Sequence, residues 1–353
     1  MSSTEQFDFQ PINELKALYQ LEGRKYKFTA KTKEEAVKWQ ASFRDELKET
    51  VGFLDTPSVD PEPVIVSEVD RDDFLIRKVV IKTAASVQMP VYILIPKGVS
   101  KPMPTVLAYH GHGPGVASIV GINPDGSFNE QAAVNHNSFA VSLCRLGFCV
   151  AAPEIAGFGE RTQTEHNIRA GSKPPKTCHE MATWALMLGK SALGIRLRDS
   201  IRLLDWVRGL DYIDSDNIGV MGFSGGGMLA FFHSCLDTRI RATVVGGYFS
   251  GFAENLLPIS HCICNHVPNL LNLGDHQDLV GLILPRPVFF ESGREDPIFQ
   301  IEIVKKSVAS ARKICQVFGE DPEKIIGFDQ TELGHQISGK NSFAFLKNQL
   351  VRV

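Results

Sequence analysis

The chain has 353 residues, of which 43% are hydrophobic and 22% are charged; this supplies enough apolar material for a sizeable core and excludes a disordered or fibrous protein. Its 37 basic and 40 acidic side chains give a net charge of -3, so the basic excess of a general nucleic-acid binder is missing. The sequence contains no run of 18 apolar residues, the length that predicts a membrane span. The first ten residues lack the basic and apolar segments of a signal peptide. We therefore expect an enzyme or binding domain that contacts neither nucleic acid nor membrane.

The first seventy residues predict a helical extension. Ile12–Leu21 and Lys33–Val51 are rich in Glu, Lys and Ala. Apolar residues recur at helical spacing in the second segment, at Ala36, Trp39, Phe43 and Leu47. A proline-rich connector, Thr56–Pro63, follows and cannot be regular structure throughout. We expect residues 1–70 to pack on a main domain of residues 71–353, or on that of a neighbouring copy, which leaves a homo-oligomer open.

From about Asp72 the sequence alternates between short apolar runs and helical stretches. The predicted strands are Phe74–Lys82, Met89–Ile95, Thr105–Tyr109, Phe148–Ala152, Ile218–Phe223, Ala242–Gly246, Pro287–Glu291 and Lys324–Phe328. The predicted helices are Ala132–Leu146, Ser191–Leu210, Gly226–Leu236, Glu302–Phe318 and Ser342–Val351. This alternation predicts an α/β fold with a mostly parallel central sheet and helices on both faces. Two inserts, residues 158–191 and 250–284, fit neither pattern and are expected to form lids or pocket walls.

Seven cysteines, an odd number scattered over a long chain, favour reduced thiols and a cytoplasmic location. One cluster stands out, because His261, Cys262, Cys264 and His266 lie within six residues. All four could be metal ligands, but a C-x-C pair flanked by histidines is no standard structural zinc spacing. We therefore expect buried thiols in a loop, with no metal and no cofactor.

Ser224 is the candidate nucleophile. It is the central residue of Gly222-Phe223-Ser224-Gly225-Gly226, which matches the pattern G-x-S-x-G. A predicted strand enters this segment and a predicted helix leaves it, as a nucleophile elbow requires. Such a turn exposes the serine hydroxyl and leaves no room for side chains on either side of it. The flanking glycines have none.

A serine hydroxyl is a weak nucleophile unless a base takes its proton. His335 is the only histidine beyond the last predicted strand, in a loop where a base could reach the carboxyl edge of the sheet. It is therefore the candidate base.

The imidazole of such a base needs a carboxylate that fixes its tautomer and stabilises its charge. Asp296 follows the predicted strand 287–291 closely, is restrained by Pro297, and has the shorter and more easily fixed acidic side chain. Glu295 is the nearest alternative, and Asp275 and Asp278 are weaker ones. The choice between Asp296 and Glu295 is a question of geometry that the sequence leaves open.

An oxyanion formed in the reaction needs two hydrogen-bond donors. The backbone N–H of Gly225, the residue after the serine, is one candidate. The second should come from the glycine-rich loop after the third predicted strand, and the N–H of His112 is our candidate there. The two histidines of that loop, His110 and His112, could also suggest a metal, but no third ligand lies close by in sequence.

These elements occur in the order Ser224, Asp296, His335, which is the order found in α/β-hydrolases. The chain resembles that superfamily over roughly residues 72–353, and is most similar to its dienelactone-hydrolase-like and acetyl-xylan-esterase-like branch. The motifs that carry the resemblance are YHGHG at 109–113, AGFGER at 156–161, IGVMGFSGGG at 218–227, LPRPVFFESGREDPIF at 284–299 and ELGHQ at 332–336. Dienelactone hydrolases use a cysteine nucleophile, so the serine here favours an ordinary carboxylic ester over a lactone.

The resemblance implies a serine esterase that acts on a small-molecule ester, with a short acyl group such as acetyl. It also implies substrate contacts in the loop after the fourth predicted strand, where Glu160 and Arg161 lie; an ordinary surface ion pair is the alternative for both. Two other functions remain open. One is a serine peptidase of the prolyl-oligopeptidase type, and the other is a non-catalytic binding protein with the same fold.

Overall fold

The computed structural model describes residues 9–123, 127–128, 136–162 and 178–351. Within these residues nine strands form one sheet. The strands are β1 Val64–Asp70, β2 Phe74–Ala84, β3 Val87–Pro96, β4 Met103–Tyr109, β5 Cys149–Pro153, β6 Ile213–Phe223, β7 Ala242–Gly246, β8 Val288–Gly293 and β9 Ile326–Thr331. The α-helices are α1 Pro11–Glu22, α2 Lys33–Val51, α3 Ala117–Val120, α4 Phe139–Arg145, α5 His179–Met187, α6 Ala192–Val207, α7 Gly225–Leu236, α8 Leu270–Leu273, α9 His276–Leu279, α10 Ile301–Val317, α11 Pro322–Ile325 and α12 Lys340–Leu350.

The strands are arranged in the order β1-β2-β3-β5-β4-β6-β7-β8-β9. The pairs β1/β2, β2/β3 and β3/β5 are antiparallel, and all pairs from β5 through β9 are parallel. The carboxyl ends of the parallel strands therefore meet at one edge, where ligand crevices form in open α/β sheets. The loops after β4, β6, β8 and β9 come together at this edge.

Side chains that alternate along each strand pack against helices on opposite faces of the sheet. In β4, Leu107 joins the core beneath α2, α6, α7 and α10, whereas Val106 and Ala108 join the core beneath α4 and α12. Such alternation follows from the two-residue period of a strand. The predicted mostly parallel sheet with helices on both faces is confirmed.

The second N-terminal helix is part of the main core. Phe43 of α2 is fully buried in it. The Gln40 amide donates a hydrogen bond to the Gly281 carbonyl over 2.6 Å, and the Arg44 guanidinium donates to the Cys235 carbonyl over 2.9 Å. These contacts fix α2 on the domain that contains the sheet.

The last part of the predicted helical extension is a strand, which corrects the sequence analysis. Val64–Asp70 pairs with β2 as the edge strand β1. Its first three side chains are more than half exposed. Because neither face of β1 is buried, its sequence lacks the apolar–polar alternation that predicts a half-buried strand.

Other predicted elements recur with shifted ends. The helix predicted over 132–146 begins at Phe139, and residues 129–135 lie outside the described residues. The insert 158–191 contains α5, while 163–177 of that insert are not described. The insert 250–284 contains a π-helical turn at Phe252–Leu256, then α8 and α9. None of the helices in the described part of the chain combines the length and apolar character needed to cross a bilayer.

Candidate active site

Ser224 lies on a sharp turn between β6 and α7. Its backbone has φ 55° and ψ -119°, a conformation that is strained for a residue with a side chain. The Ser224 N–H donates a hydrogen bond to the Gly246 carbonyl of β7 over 2.8 Å, which holds the turn against the sheet. The side chain is partly exposed at the carboxyl edge of the sheet. This is the strand–turn–helix placement predicted for a nucleophile elbow.

The two glycines that flank the elbow are sterically required. A β-carbon on Gly222 would lie 2.0 Å from the Gly226 carbonyl oxygen, and one on Gly226 would lie 1.9 Å from the Tyr109 carbonyl oxygen. Both oxygens belong to backbone that the sheet or helix α7 holds in place. A side chain at position 226 would therefore force the elbow away from β4, and one at position 222 would force β6 away from α7.

His335 and Asp296 form a short hydrogen bond. The His335 Nδ1 lies 2.7 Å from Asp296 Oδ2, and the Asp296 side chain is 1% exposed. The other carboxylate oxygen of Asp296 accepts hydrogen bonds from the N–H groups of Ile298, over 2.8 Å, and Phe299, over 3.1 Å. With the carboxylate held at both oxygens, Nδ1 of His335 is the donor and Nε2 keeps its lone pair for a proton.

The side chains of the other acidic residues that the sequence left open do not contact His335 in any of the described interactions. Glu295 is exposed to solvent. Asp275 caps α9 and accepts a hydrogen bond from the Phe252 N–H over 2.8 Å. Asp278 forms an ion pair with Arg24 over 3.0 Å. Among the described residues, Asp296 is the carboxylate that contacts His335.

A buried glutamate fixes the segment after His335, and the sequence analysis missed its role. Glu291 lies at the end of β8, and its carboxylate accepts hydrogen bonds from the Ser338 N–H over 2.5 Å, the Gly339 N–H over 3.2 Å and the Ser342 hydroxyl over 2.7 Å. Burial raises the pKa of Glu291, and these three donors oppose that shift. The interaction links the loop that carries His335 to the sheet.

The loop after β4 lies against the elbow. A β-carbon placed on Gly225 would be 2.8 Å from the His112 side-chain Nδ1 and 3.7 Å from the His112 backbone nitrogen. Neither the His112 N–H nor the Gly225 N–H donates any of the hydrogen bonds found among the described residues. The two predicted oxyanion donors are thus neighbours, and neither N–H is used within the described part of the chain.

Two further histidines hold this loop in shape. His136 Nε2 accepts a hydrogen bond from the Gly111 N–H over 2.9 Å. Burial is the main cause that lowers the pKa of His136 to about 3, so its ring is neutral and can accept this bond. His110 Nε2 accepts from the Ile155 N–H over 3.1 Å, and its Nδ1 donates to the Gly111 carbonyl over 2.9 Å. No sequence pattern pointed to His136, because its partner lies 25 residues away.

The His112 side chain contacts a group of three thiols. His112 Nε2 lies 3.3 Å from the sulfur of Cys264, which lies 3.3 Å from that of Cys262; the latter is 2.9 Å from the sulfur of Cys178. These four candidate ligand atoms all lie within 4.8 Å of one another, and the two histidines of the 261–266 segment are not among them. Burial by itself lowers the pKa of His112, but hydrogen bonds and charge from Cys262 and Cys264 outweigh it and raise the pKa to about 9.

The residues predicted to contact substrate, Glu160 and Arg161, are engaged in ion pairs. Glu160 pairs with Lys78 over 2.6 Å, and Arg161 pairs with Asp199 over 2.8 Å. Arg161 is nearly buried in this pair. Neither residue contacts Ser224, Asp296 or His335 among the described interactions. A role in substrate binding stays a prediction for both.

The comparisons with known proteins give the chain a family. The sequence model of the Abhydrolase family matches residues 12–318, most of the chain. The chain belongs to the Abhydrolase family. The match starts within α1, so the family includes the N-terminal helices, which the sequence resemblance left outside its range. A curated relative, "Putative hydrolase YtaP" of Bacillus subtilis (strain 168), is 27% identical over 276 residues, covering 76% of this chain and 85% of the relative.

Solved structures of the same fold include several esterases. This Abhydrolase-family chain is similar to "a putative acetyl xylan esterase" of Bacteroides fragilis, with a TM-score of 0.76, 21% identity, and coverage of 94% of this chain and 85% of that one. A glucuronoyl esterase from Solibacter usitatus matches with a TM-score of 0.64, 13% identity, and coverage of 92% and 98%. Acetyl xylan esterase 1 from Thermoanaerobacterium sp. matches with a TM-score of 0.57, 17% identity, and coverage of 98% and 100%. The chain has the α/β-hydrolase fold.

Proposed function

We propose that the protein is a serine hydrolase of carboxylic esters that acts through an acyl-enzyme. Ser224 attacks the ester carbonyl while Nε2 of His335 takes its proton, and His335 then donates that proton to the leaving alcohol. Asp296 stabilises the imidazolium. A water molecule, deprotonated by His335, hydrolyses the acyl-enzyme and restores the serine.

The hydrogen bond between His335 and Asp296 is the observation that carries this proposal. A buried carboxylate held by two loop N–H groups has its remaining oxygen directed at Nδ1 of the histidine, which selects the tautomer a general base needs. The centre of the His335 ring lies 4.8 Å from that of the ring of Phe223, the residue before Ser224, and a binding protein has no need of this arrangement. The combination therefore favours catalysis over binding.

The N–H groups of His112 and Gly225 are the proposed oxyanion donors. They are adjacent, neither is used within the described part of the chain, and Gly111 beside them is held by the His136 ring. One such donor typically contributes about 3 kcal/mol to transition-state stabilisation.

The proposed substrates are esters with short acyl groups, such as acetyl esters. Structural neighbours named as acetyl xylan esterases, and the resemblance of the sequence to that branch, support this choice. Glucuronoyl esterases share the fold, so the alcohol and acid portions of the ester are to be determined by assay.

The test is hydrolysis of p-nitrophenyl esters from acetate to octanoate by the wild type, by Ser224→Ala and by Ser292→Ala. Ser292 is a matched control because its hydroxyl is buried in β8 and has no hydrogen-bond partner among the described residues. We expect Ser224→Ala to lose nearly all activity, Ser292→Ala to keep it, and acetate to be hydrolysed faster than octanoate. Equal rates for wild type and Ser224→Ala would contradict the proposal.

A further inference from the structure

The side chains of His112, Cys178, Cys262 and Cys264, here called the thiol cluster, come from three separate segments of the chain. His112 belongs to the loop after β4, and Cys178 immediately precedes α5. Cys262 and Cys264 lie at a short 3₁₀ turn in the insert 250–284. The esterase mechanism uses none of these side chains, because only the backbone N–H of His112 takes part in it.

The distances within the thiol cluster fit one tetrahedral metal ion. Metal–sulfur bonds of about 2.3 Å and tetrahedral angles hold two sulfurs about 3.8 Å apart. The separations in the cluster run from 2.9 Å to no more than 4.8 Å and bracket that value. Three thiols and one imidazole nitrogen are a recognised ligand set of structural zinc.

A buried cation beside the cluster supplies an independent observation. Arg196 is only 3% exposed, and its Nη2 has no hydrogen-bond partner among the described residues. Its Nε donates to the Ala156 carbonyl over 3.2 Å, its guanidinium lies 5.1 Å from the Phe158 ring, and within the described residues no carboxylate pairs with it. Burying a guanidinium without a negative partner is very costly.

A metal centre accounts for this arginine. Three thiolates, one neutral imidazole and one divalent cation carry a net charge of -1, which the charge of Arg196 offsets. Three uncharged thiols would leave the guanidinium without a counter-charge. A β-carbon on Gly157 would lie 3.1 Å from the Cys178 β-carbon and 3.6 Å from Arg196 Nη2, which places the guanidinium next to the cluster.

We propose that the thiol cluster binds one structural zinc ion. Four protein ligands close the coordination sphere, so the ion holds structure and has no open position for a substrate. Binding requires three thiolates and a neutral His112 ring, so the protons that these groups hold are released to solvent. Ligation through Nε2 of His112 fixes the loop whose backbone N–H lies beside Gly225, and joins it to both inserts.

The first measurement is the zinc content of the full chain, purified without a histidine tag and dialysed against metal-free buffer. We expect about one zinc per chain by mass spectrometry of the metal. Cys178→Ser and Cys262→Ser should each weaken zinc affinity at least about tenfold, measured by competition with a chelator, since the loss of even a group that only hydrogen-bonds to a metal ligand weakens metal binding that much. Cys315→Ser is the matched control, because Cys315 is a buried free thiol of α10 outside the cluster, and it should keep the zinc.

A second measurement on the wild type does not depend on the variants folding. Zinc is removed with a chelator, and Co²⁺ is added to the metal-free chain. We expect the intense near-ultraviolet absorption of cobalt–thiolate bonds, and we expect this absorption to disappear when Zn²⁺ displaces the cobalt. Absence of zinc together with no cobalt–thiolate absorption would overturn the proposal. A non-reducing peptide map that joins Cys178 to Cys262 in the freshly purified protein would overturn it as well. Neither readout depends on esterase activity.

Discussion

Replacing Asp296 with asparagine separates the role of its carboxylate in catalysis from its role in the fold. Oδ1 accepts two backbone hydrogen bonds, from Ile298 and Phe299, and an asparagine oxygen can accept both. The new amide NH₂ then faces His335 across the present 2.7 Å contact and requires an acceptor there. His335 must therefore carry its proton on Nε2, where it cannot act as a base.

We expect this substitution to leave the protein folded but to lower kcat/KM for p-nitrophenyl acetate about 10³- to 10⁴-fold. This loss corresponds to roughly 4–5.5 kcal/mol of transition-state stabilisation, the size associated with a wrong histidine tautomer in other serine hydrolases. Steady-state kinetics give the catalytic effect, and urea unfolding confirms that stability is retained. The control is Glu295→Gln, an exposed neighbour. The reasoning is refuted if Asp296→Asn stays within tenfold of wild type, or if Glu295→Gln shows the larger loss.

Two further predictions concern stability. The pKa of folded His136 is lowered to about 3, so the unfolded chain takes up a proton at this residue below about pH 6.5. Lowering the pH from 7 to 5 should therefore reduce the free energy of unfolding of the wild type by about 2 kcal/mol more than that of His136→Gln, whose amide oxygen still accepts the Gly111 N–H. Urea unfolding at both pH values measures this difference, and equal losses in the two proteins would be contrary evidence. Phe43→Ala should lower the free energy of unfolding by about 3–5 kcal/mol, because it leaves a cavity beside Trp39. The control is Val37→Ala on the same helix, which should lower it by less than about 0.5 kcal/mol because Val37 is half exposed. Similar losses for the two variants would mean that α2 is not part of the core.

The sequence predicted those parts of the fold whose burial leaves a periodic pattern. Strand Ala242–Gly246 and helix Lys33–Val51 have the predicted bounds, since the first is buried throughout and the second buries one face. Strand Val64–Asp70 was missed because neither face is buried. The shapes of the two inserts depend on tertiary contacts, so their short helices left no pattern.

The candidate site was predicted as far as local chemistry allows. Ser224 stands in a turn whose flanking glycines are required by contacts within a few residues and by the adjacent strand, so a short motif reveals it. The choice of Asp296 over Glu295 depends on which carboxylate faces His335, and only the structure shows that contact.

Groups assembled from distant segments could not be found in this way. Cys178 meets Cys262 across 84 residues, and His112 meets Cys264 across 152. The sequence instead grouped the two later cysteines with the histidines of their own segment, because proximity along the chain was the only available guide. These side chains meet because the order of the strands in the sheet brings their loops together, and the spacing of residues along the sequence does not specify that order.

Covalent labelling decides whether Ser224 is the nucleophile. The wild type and Ser224→Ala are treated with a fluorophosphonate that reacts with activated serines, and both are followed by intact mass and peptide mapping. We predict one adduct per chain in the wild type, located on the peptide that contains Ser224, and none in the variant. An adduct on another serine, or equal labelling of both proteins, would contradict the serine hydrolase mechanism.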